Sequence, residues 1–342
     1  MNQVKRKVLL IATGGTIAST ESENGLKPGI SSDEILQFIP EILETAQVDT
    51  YQLCSVDSTN MKPEIWSNMV KTIKENYFSY DGFVIAHGTD TMAYTAAALS
   101  YMIQNSDKPV VLTGSQRPIE QENTDGKTNL TDAILYAADP KSQGVCIVFD
   151  GKVIAGTRAR KVRSKSFNAF DSIDFPFLAV IQGGQIMRYI PMLPYEEPVT
   201  FYENLDEKVY LMKLIPGMKV HGLEEIFDYY DALIIESFGV GGIPDSISEE
   251  FYRLHKKYPE TLIIMATQVS HEGSDMSIYE VGQKIKKDCQ FLESYDMTLE
   301  SVIAKSMWML GNLKVTSENS EDIFYQHINF DLVFGKNRKV ES

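Results

Sequence analysis

The sequence predicts a two-domain α/β fold: a larger N-terminal domain on a mainly parallel, helix-covered sheet, and a smaller α/β C-terminal domain. Three observations predict it. Compact apolar runs such as Val8 to Ala12 and Phe83 to Ala86 alternate with helical patterns along the first half of the chain. Those runs are apolar at every position, as in strands buried on both faces, rather than alternating as half-exposed strands do. The chain, at 342 residues, also exceeds the length at which a single core stops growing, about 250–300 residues.

Strands are expected at about 5–12, 48–56, 82–86, 109–113 and 144–149, and helices at about 32–39, 63–77, 90–105 and 127–138. The helix at 63–77 is the clearest. Pro63 is pre-set for a first helical turn, and Ile65, Trp66, Met69, Val70 and Ile73 share one face at helical spacing. The helix through Tyr101 is rich in alanine, which favours close packing on its neighbours. From Gly151 to Gln185 the pattern is irregular, and Pro191, Pro194 and Pro198 mark a linker. The expected division is therefore 1–190, a linker at 191–208, and a C-terminal domain at 209–342. In it, strands are expected at 233–236 and 262–266, and helices at 247–255 and 299–310.

Composition narrows the function. With 47 acidic and 32 basic residues the formal charge is −15, which opposes a nucleic-acid backbone as partner. Lys5, Arg6 and Lys7 before Val8 to Ala12 mimic a signal peptide, but the apolar run is shorter than the about 7–15 residues a secretory core needs. No run approaches the ~20 residues of a membrane span. Cys54, Cys146 and Cys289 are odd in number and lack CxxC spacing, as expected of reduced thiols in a cytoplasmic protein. No HExxH and no Cys/His cluster suggests a metal, and neither a dinucleotide fingerprint nor a Walker loop is present, so no cofactor is expected.

Chemistry concentrates in four polar turns, each after an apolar run: Thr13-Gly14-Gly15-Thr16, Asp57-Ser58-Thr59-Asn60-Met61, His87-Gly88-Thr89-Asp90-Thr91 and Thr113-Gly114-Ser115-Gln116. Open α/β sheets bind ligands at the carboxyl ends of their strands. Any one turn has a structural explanation: a Gly-Gly exit from a strand, a capping segment before Pro63, or Thr89 or Asp90 as a helix N-cap. Four in succession describe a crevice rich in hydroxyls, with Asp90 available to a cationic group. His87 reads as a structural histidine rather than a base. Lys161 is either a solvated basic residue or a proton acceptor beside a threonine and an acid.

Together, the Thr13–Ala18, Asp57–Met61 and His87–Met92 motifs and Lys161 resemble the motif set of bacterial L-asparaginases. The likeness to the cytoplasmic type I branch is greater, through Thr113 to Gln116 and through Asp296-Met297-Thr298 with Lys305. It runs from about residue 5 to 330. The resemblance implies a flavodoxin- or Rossmann-like sheet and hydrolysis of L-asparagine to L-aspartate and ammonia, with L-glutamine a poorer substrate. It implies Thr16 as nucleophile on a mobile loop, with Thr89, Asp90 and Lys161 as a second, activating set. Ser58, Thr59, Asp90 and the Ser115 backbone would hold the substrate. It also implies a homodimer or homotetramer whose active sites draw on a neighbouring subunit, with the loops 239–242 and 267–272 as candidate contributors.

One position departs from the pattern. The family usually has a tyrosine in the loop after the first turn, and Leu26 stands in its place. Two other readings share the motifs. One is the amidase subunit of a tRNA-dependent amidotransferase, which normally carries an N-terminal extension ahead of the strand on which this sequence opens. The other is a catalytically silent protein that binds asparagine or aspartate.

Overall fold

The computed structural model describes residues 5–22, 25–276 and 291–333. The chain divides into two compact units, Met1–Glu203 and Asn204–Ser342.

An eight-stranded sheet forms the first unit. Its order is Gln185–Arg188, Ala179–Gln182, Lys152–Ala155, Gly144–Phe149, Pro109–Thr113, Gly82–Ala86, Arg6–Gly14 and Ala46–Val56. The last five of these run parallel. Counted along the chain, the parallel strands lie in the spatial order 2-1-3-4-5. That is the flavodoxin-like order, in which the strand sequence reverses between the first and third strands and opens a crevice at their carboxyl ends. Here those strands are Arg6–Gly14 and Gly82–Ala86, which end in the first and third polar turns. Their register is level, with Ala12 opposite Ala86 and Ala86 opposite Thr113, so three of the four turns emerge side by side.

Burial explains why the apolar runs are strands. Gly82–Ala86, Pro109–Thr113 and Gly144–Phe149 are buried at every position. The helix Met92–Met102 buries Ala93, Ala96, Ala97 and Ala98 together with Leu99, which marks it as a helix of the interior rather than of the surface.

Three elements differ from expectation. The helix expected to reach residue 39 stops at Leu36, because Pro40 disfavours helical backbone at the residue before it, and Ile39 sits at φ −135°. The stretch read as irregular contributes three antiparallel strands that extend the sheet. Thr200–Phe201, inside the segment read as linker, pairs with Ile103–Gln104.

A four-stranded parallel sheet, Val209–Lys213, Ala232–Ser237, Leu262–Thr267 and Phe291–Glu293, forms the second unit. Leu233, Ile235, Ile263 and Met265 pack with Phe227, Phe251 and Phe291 in its core. Lys305 and Asp331 are an ion pair at 2.6 Å, both fully buried, and Lys305 also donates to the Gln326 carbonyl at 2.7 Å. Burial pulls the Lys305 pKa down while the Asp331 carboxylate pushes it up. Cys54 and Cys146 are free thiols, and Cys289 lies outside the described residues.

Candidate active site

The polar turns interlock through glycine. Gly15 takes φ 78° with ψ −178°, a conformation open to glycine and to almost nothing else. A Cβ on Gly15 would lie 2.4 Å from the Gly88 backbone, and one on Gly88 would lie 2.6 Å from the Ser58 Cβ. Neither distance admits a side chain. Backbone hydrogen bonding completes the block: Gly15 N donates to Val56 O at 3.1 Å, and the Thr13 hydroxyl donates to Ala86 O at 2.9 Å.

A pocket opens over this block, lined by Gly15, Thr16, Ser19, Val56, Asp57, Ser58, Thr89 and Asp90. It collects Thr16, Ser58, Thr89 and Asp90 of the residues expected from the sequence. Lys161 reaches the same group from the strand Ala159–Lys161, donating to Thr89 Oγ1 at 2.8 Å and to Asp90 Oδ1 at 2.6 Å. The Asp90 side chain is 59% exposed, so its ion pair with Lys161 orients groups more than it stabilises the fold. Neither Thr89 nor Asp90 caps the following helix. Its N-cap is Thr91, whose hydroxyl donates to the Ser58 carbonyl at 2.8 Å.

Two expected residues lie outside the pocket lining. Thr59 turns its hydroxyl and its backbone N–H onto Asp57, at 2.8 and 2.9 Å, and does not line the pocket. Ser115 donates its hydroxyl to the Arg117 carbonyl and also lies outside the lining. Leu26 belongs to the strand Gly25–Pro28, paired with Glu21 in a hairpin, and Asn24 lies outside the described residues.

Sequence reasoning gave no role to Gln116 or Asp125. Thr89 Oγ1 donates to Gln116 Oε1 at 3.2 Å. The Asp125 carboxylate accepts from the backbone N–H groups of Gln116 and Arg117 and from Asn129 Nδ2, at 2.9 to 3.1 Å. Burial pushes the Asp125 carboxyl up, and these donors oppose the shift. Gln116 stands in the fourth polar turn without a role there, and Asp125 stands outside every motif; each acts by fixing a partner that the sequence does not mark.

His87 is fully buried beneath the third turn. Its Nδ1 lies 2.6 Å from the Gly88 carbonyl and must carry the proton. Its Nε2, 2.9 Å from the Thr95 hydroxyl, therefore accepts, and Trp66 Nε1 donates to that hydroxyl at 2.8 Å. Burial holds the His87 pKa down to about 4, so the ring is neutral and structural at neutral pH. Below its ordinary value of 6.5 the unfolded chain binds a proton here that the folded chain refuses until about 4. Stability from this group is thus full above that window and is lost as pH falls through it, a contribution on the order of 3 kcal/mol. Asp132, raised to about 6 by burial, acts with the opposite sign. Urea unfolding at about pH 7 and about pH 4.5 should show His87→Gln losing less stability on acidification than the parent. Equal losses would remove His87 from the acid response.

Among the described residues, no cluster of three or more His, Cys, Asp or Glu side chains is placed to hold a metal ion, and no helix is long and apolar enough to cross a membrane.

A family model described as Asparaginase, N-terminal, matches residues 7–192, and one described as Glutaminase/Asparaginase C-terminal domain matches residues 208–324. The L-asparaginase of Thermococcus kodakarensis is 37% identical over 314 residues, spanning 91% of this chain and 95% of its own. A solved structure of the thermostable L-asparaginase from that organism has a TM-score of 0.88 at 34% identity, covering 96% of this chain and 100% of its own. L-asparaginase I from Vibrio cholerae has a TM-score of 0.85 at 26% identity, covering 97% of this chain and 100% of its own. One subunit of the glutamyl-tRNA(Gln) amidotransferase of Pyrococcus abyssi is 32% identical over 331 residues, 93% of this chain and 74% of its own. With both halves matched, and with archaeal and bacterial relatives along nearly its whole length, this chain belongs to the asparaginase/glutaminase family.

Proposed function

We propose that this protein hydrolyses L-asparagine to L-aspartate and ammonia. The observation that carries the reading is the joint placement of Thr16, Ser58, Thr89 and Asp90 around one pocket, with Lys161 hydrogen-bonded to both Thr89 and Asp90. A threonine hydroxyl becomes a competent nucleophile when a neighbouring group takes its proton. Thr16 Oγ attacks the side-chain amide carbon, and backbone N–H groups of the turns stabilise the oxyanion. The C–N bond breaks and ammonia leaves with the proton. Water then hydrolyses the acyl-enzyme and releases aspartate. In this reading Thr89, Asp90 and Lys161 activate the attacking hydroxyl. Ser58 holds the α-carboxylate, with Thr59 beside it, Asp90 holds the α-ammonium, and the Ser115 backbone meets the side-chain amide.

We place the enzyme with the type I, cytoplasmic branch, in keeping with its similarity to the L-asparaginase I structure and with free Cys54 and Cys146. It acts as a homodimer or homotetramer, and a monomer by light scattering would overturn that. Similarity to the amidotransferase component favours a second reading, as one part of a larger amide-transferring assembly. Ammonia release by the isolated chain separates the two. Turnover of free asparagine, and slower turnover of glutamine, is expected. Inertness toward both would sink the hydrolase reading in favour of the second.

A further inference from the structure

The Thr89 hydroxyl stands between two groups with fixed roles. Lys161, charged and paired with Asp90, can only donate, and it does so at 2.8 Å. Gln116 Oε1, at 3.2 Å, can only accept. The orientation of the Gln116 amide is not free, because its Nε2 donates to the Ser166 carbonyl at 3.1 Å. That contact requires the nitrogen on the Ser166 side and turns the oxygen toward Thr89. Thr89 therefore spends its proton on Gln116, receives one hydrogen bond from Lys161, and keeps one lone pair for the pocket.

We propose that Gln116 is a positioning residue that holds the Thr89 proton away from Lys161, presents the Thr89 oxygen to the pocket as an acceptor, and couples this arrangement to the surface loop 162–168. The inference rests on the hydrolase reading. Gln116 is outside the pocket lining and acts only through Thr89. Its backbone is anchored from beneath, where Asp125 accepts from the Gln116 and Arg117 N–H groups. The coupling has a second, independent contact: the Arg117 guanidinium stacks 5.4 Å from the centre of the Phe167 ring. Residues 162–168 are otherwise exposed, so Gln116 of the fourth turn and its neighbour Arg117 dock the loop that follows Lys161.

The test compares the parent protein with Gln116→Leu and Gln116→Glu, using ammonia release from asparagine across pH and trypsin cleavage of the native protein at Arg163 and Lys165. Gln116→Leu removes both contacts. Its kcat should fall about 10-fold, with KM changed less than about threefold, and trypsin should cut the loop faster. Gln116→Glu accepts the Thr89 proton but cannot donate to Ser166. It should keep near-parent kcat and the parent pH profile, because the carboxylate and the protonated carboxyl both offer Thr89 an acceptor, and still be cut faster at neutral pH. A purely structural role would instead lower Tm and kcat together in both variants. That result overturns the proposal, as does parent-like kcat in Gln116→Leu. If the parent itself releases no ammonia from asparagine, the hydrolase reading is what fails. The coupling is then judged by trypsin alone, and equal cleavage of parent and Gln116→Leu overturns it.

Discussion

Replacing Thr16 by alanine should reduce ammonia release from asparagine by on the order of 10⁴-fold or more, the scale on which nucleophile removal acts. The substitution isolates the chemistry because the backbone, not the side chain, builds the turn. Gly15 N bonds Val56 O, Ala18 N bonds Gly15 O, and Ile119 N bonds Ile17 O, at 3.1 to 3.2 Å. Alanine at this half-exposed position loses one hydroxyl and leaves those bonds intact. The variant should therefore unfold within a few degrees of the parent while turnover collapses. Near-parent turnover would remove Thr16 from the mechanism and move the nucleophile to Thr89, the other threonine of the pocket.

Lys161→Met should slow kcat by about 10²–10⁴-fold, the range over which acid–base machinery contributes, because Lys161 holds Thr89 and Asp90 in the arrangement that activates the attacking hydroxyl. Methionine keeps most of the apolar stem of the side chain but leaves the Thr89 oxygen without its donor and Asp90 without its cation. Stability should barely move, because Asp90 is largely solvated and such pairs contribute little. Steady-state kinetics on asparagine decides between two roles. A rise in KM at constant kcat would make Lys161 a binding residue, and only a fall in kcat supports activation.

The inner parallel strands were legible because burial on both faces leaves an unbroken apolar signature, as in Phe83 to Ala86 and Val145 to Phe149, whereas the edge strand Ala46–Val56 is exposed or half-buried beyond Ala46 and carries no such run. The antiparallel extension was not legible, because Gln185–Arg188 is half exposed and mixes Gln and Arg with Ile and Met. Its turns carried a signal that periodicity alone passes over. Asp150-Gly151 and Gly183-Gly184 each have positive φ at both residues, the geometry that two-residue hairpins favour. In the site, the clustering of the turns could be anticipated, since level parallel strands bring their carboxyl ends together. Which hydroxyls face the pocket could not. Ser58 and Thr59 are neighbours in sequence, yet Asp57 captures the second and leaves the first to the lining. Gln116 stood in the fourth turn without a role, and Asp125 outside every motif, for a related reason: their value lies in a partner, and nothing in a sequence marks a partner.

The glycine interlock bears on how this enzyme can be altered. Because Gly15, Gly88 and Ser58 meet with no room for an added Cβ, the first three turns behave as one solid part, and the Thr16 and Thr89 positions inherit a common frame. Substitution within that part is closed in a reciprocal way, since enlarging one glycine presses on the next turn rather than on solvent. A library meant to shift preference among amides is therefore best spent on residues that border the frame, such as Ser19 and Val56. Randomising positions 15 and 88 would return broken frames instead of new specificities.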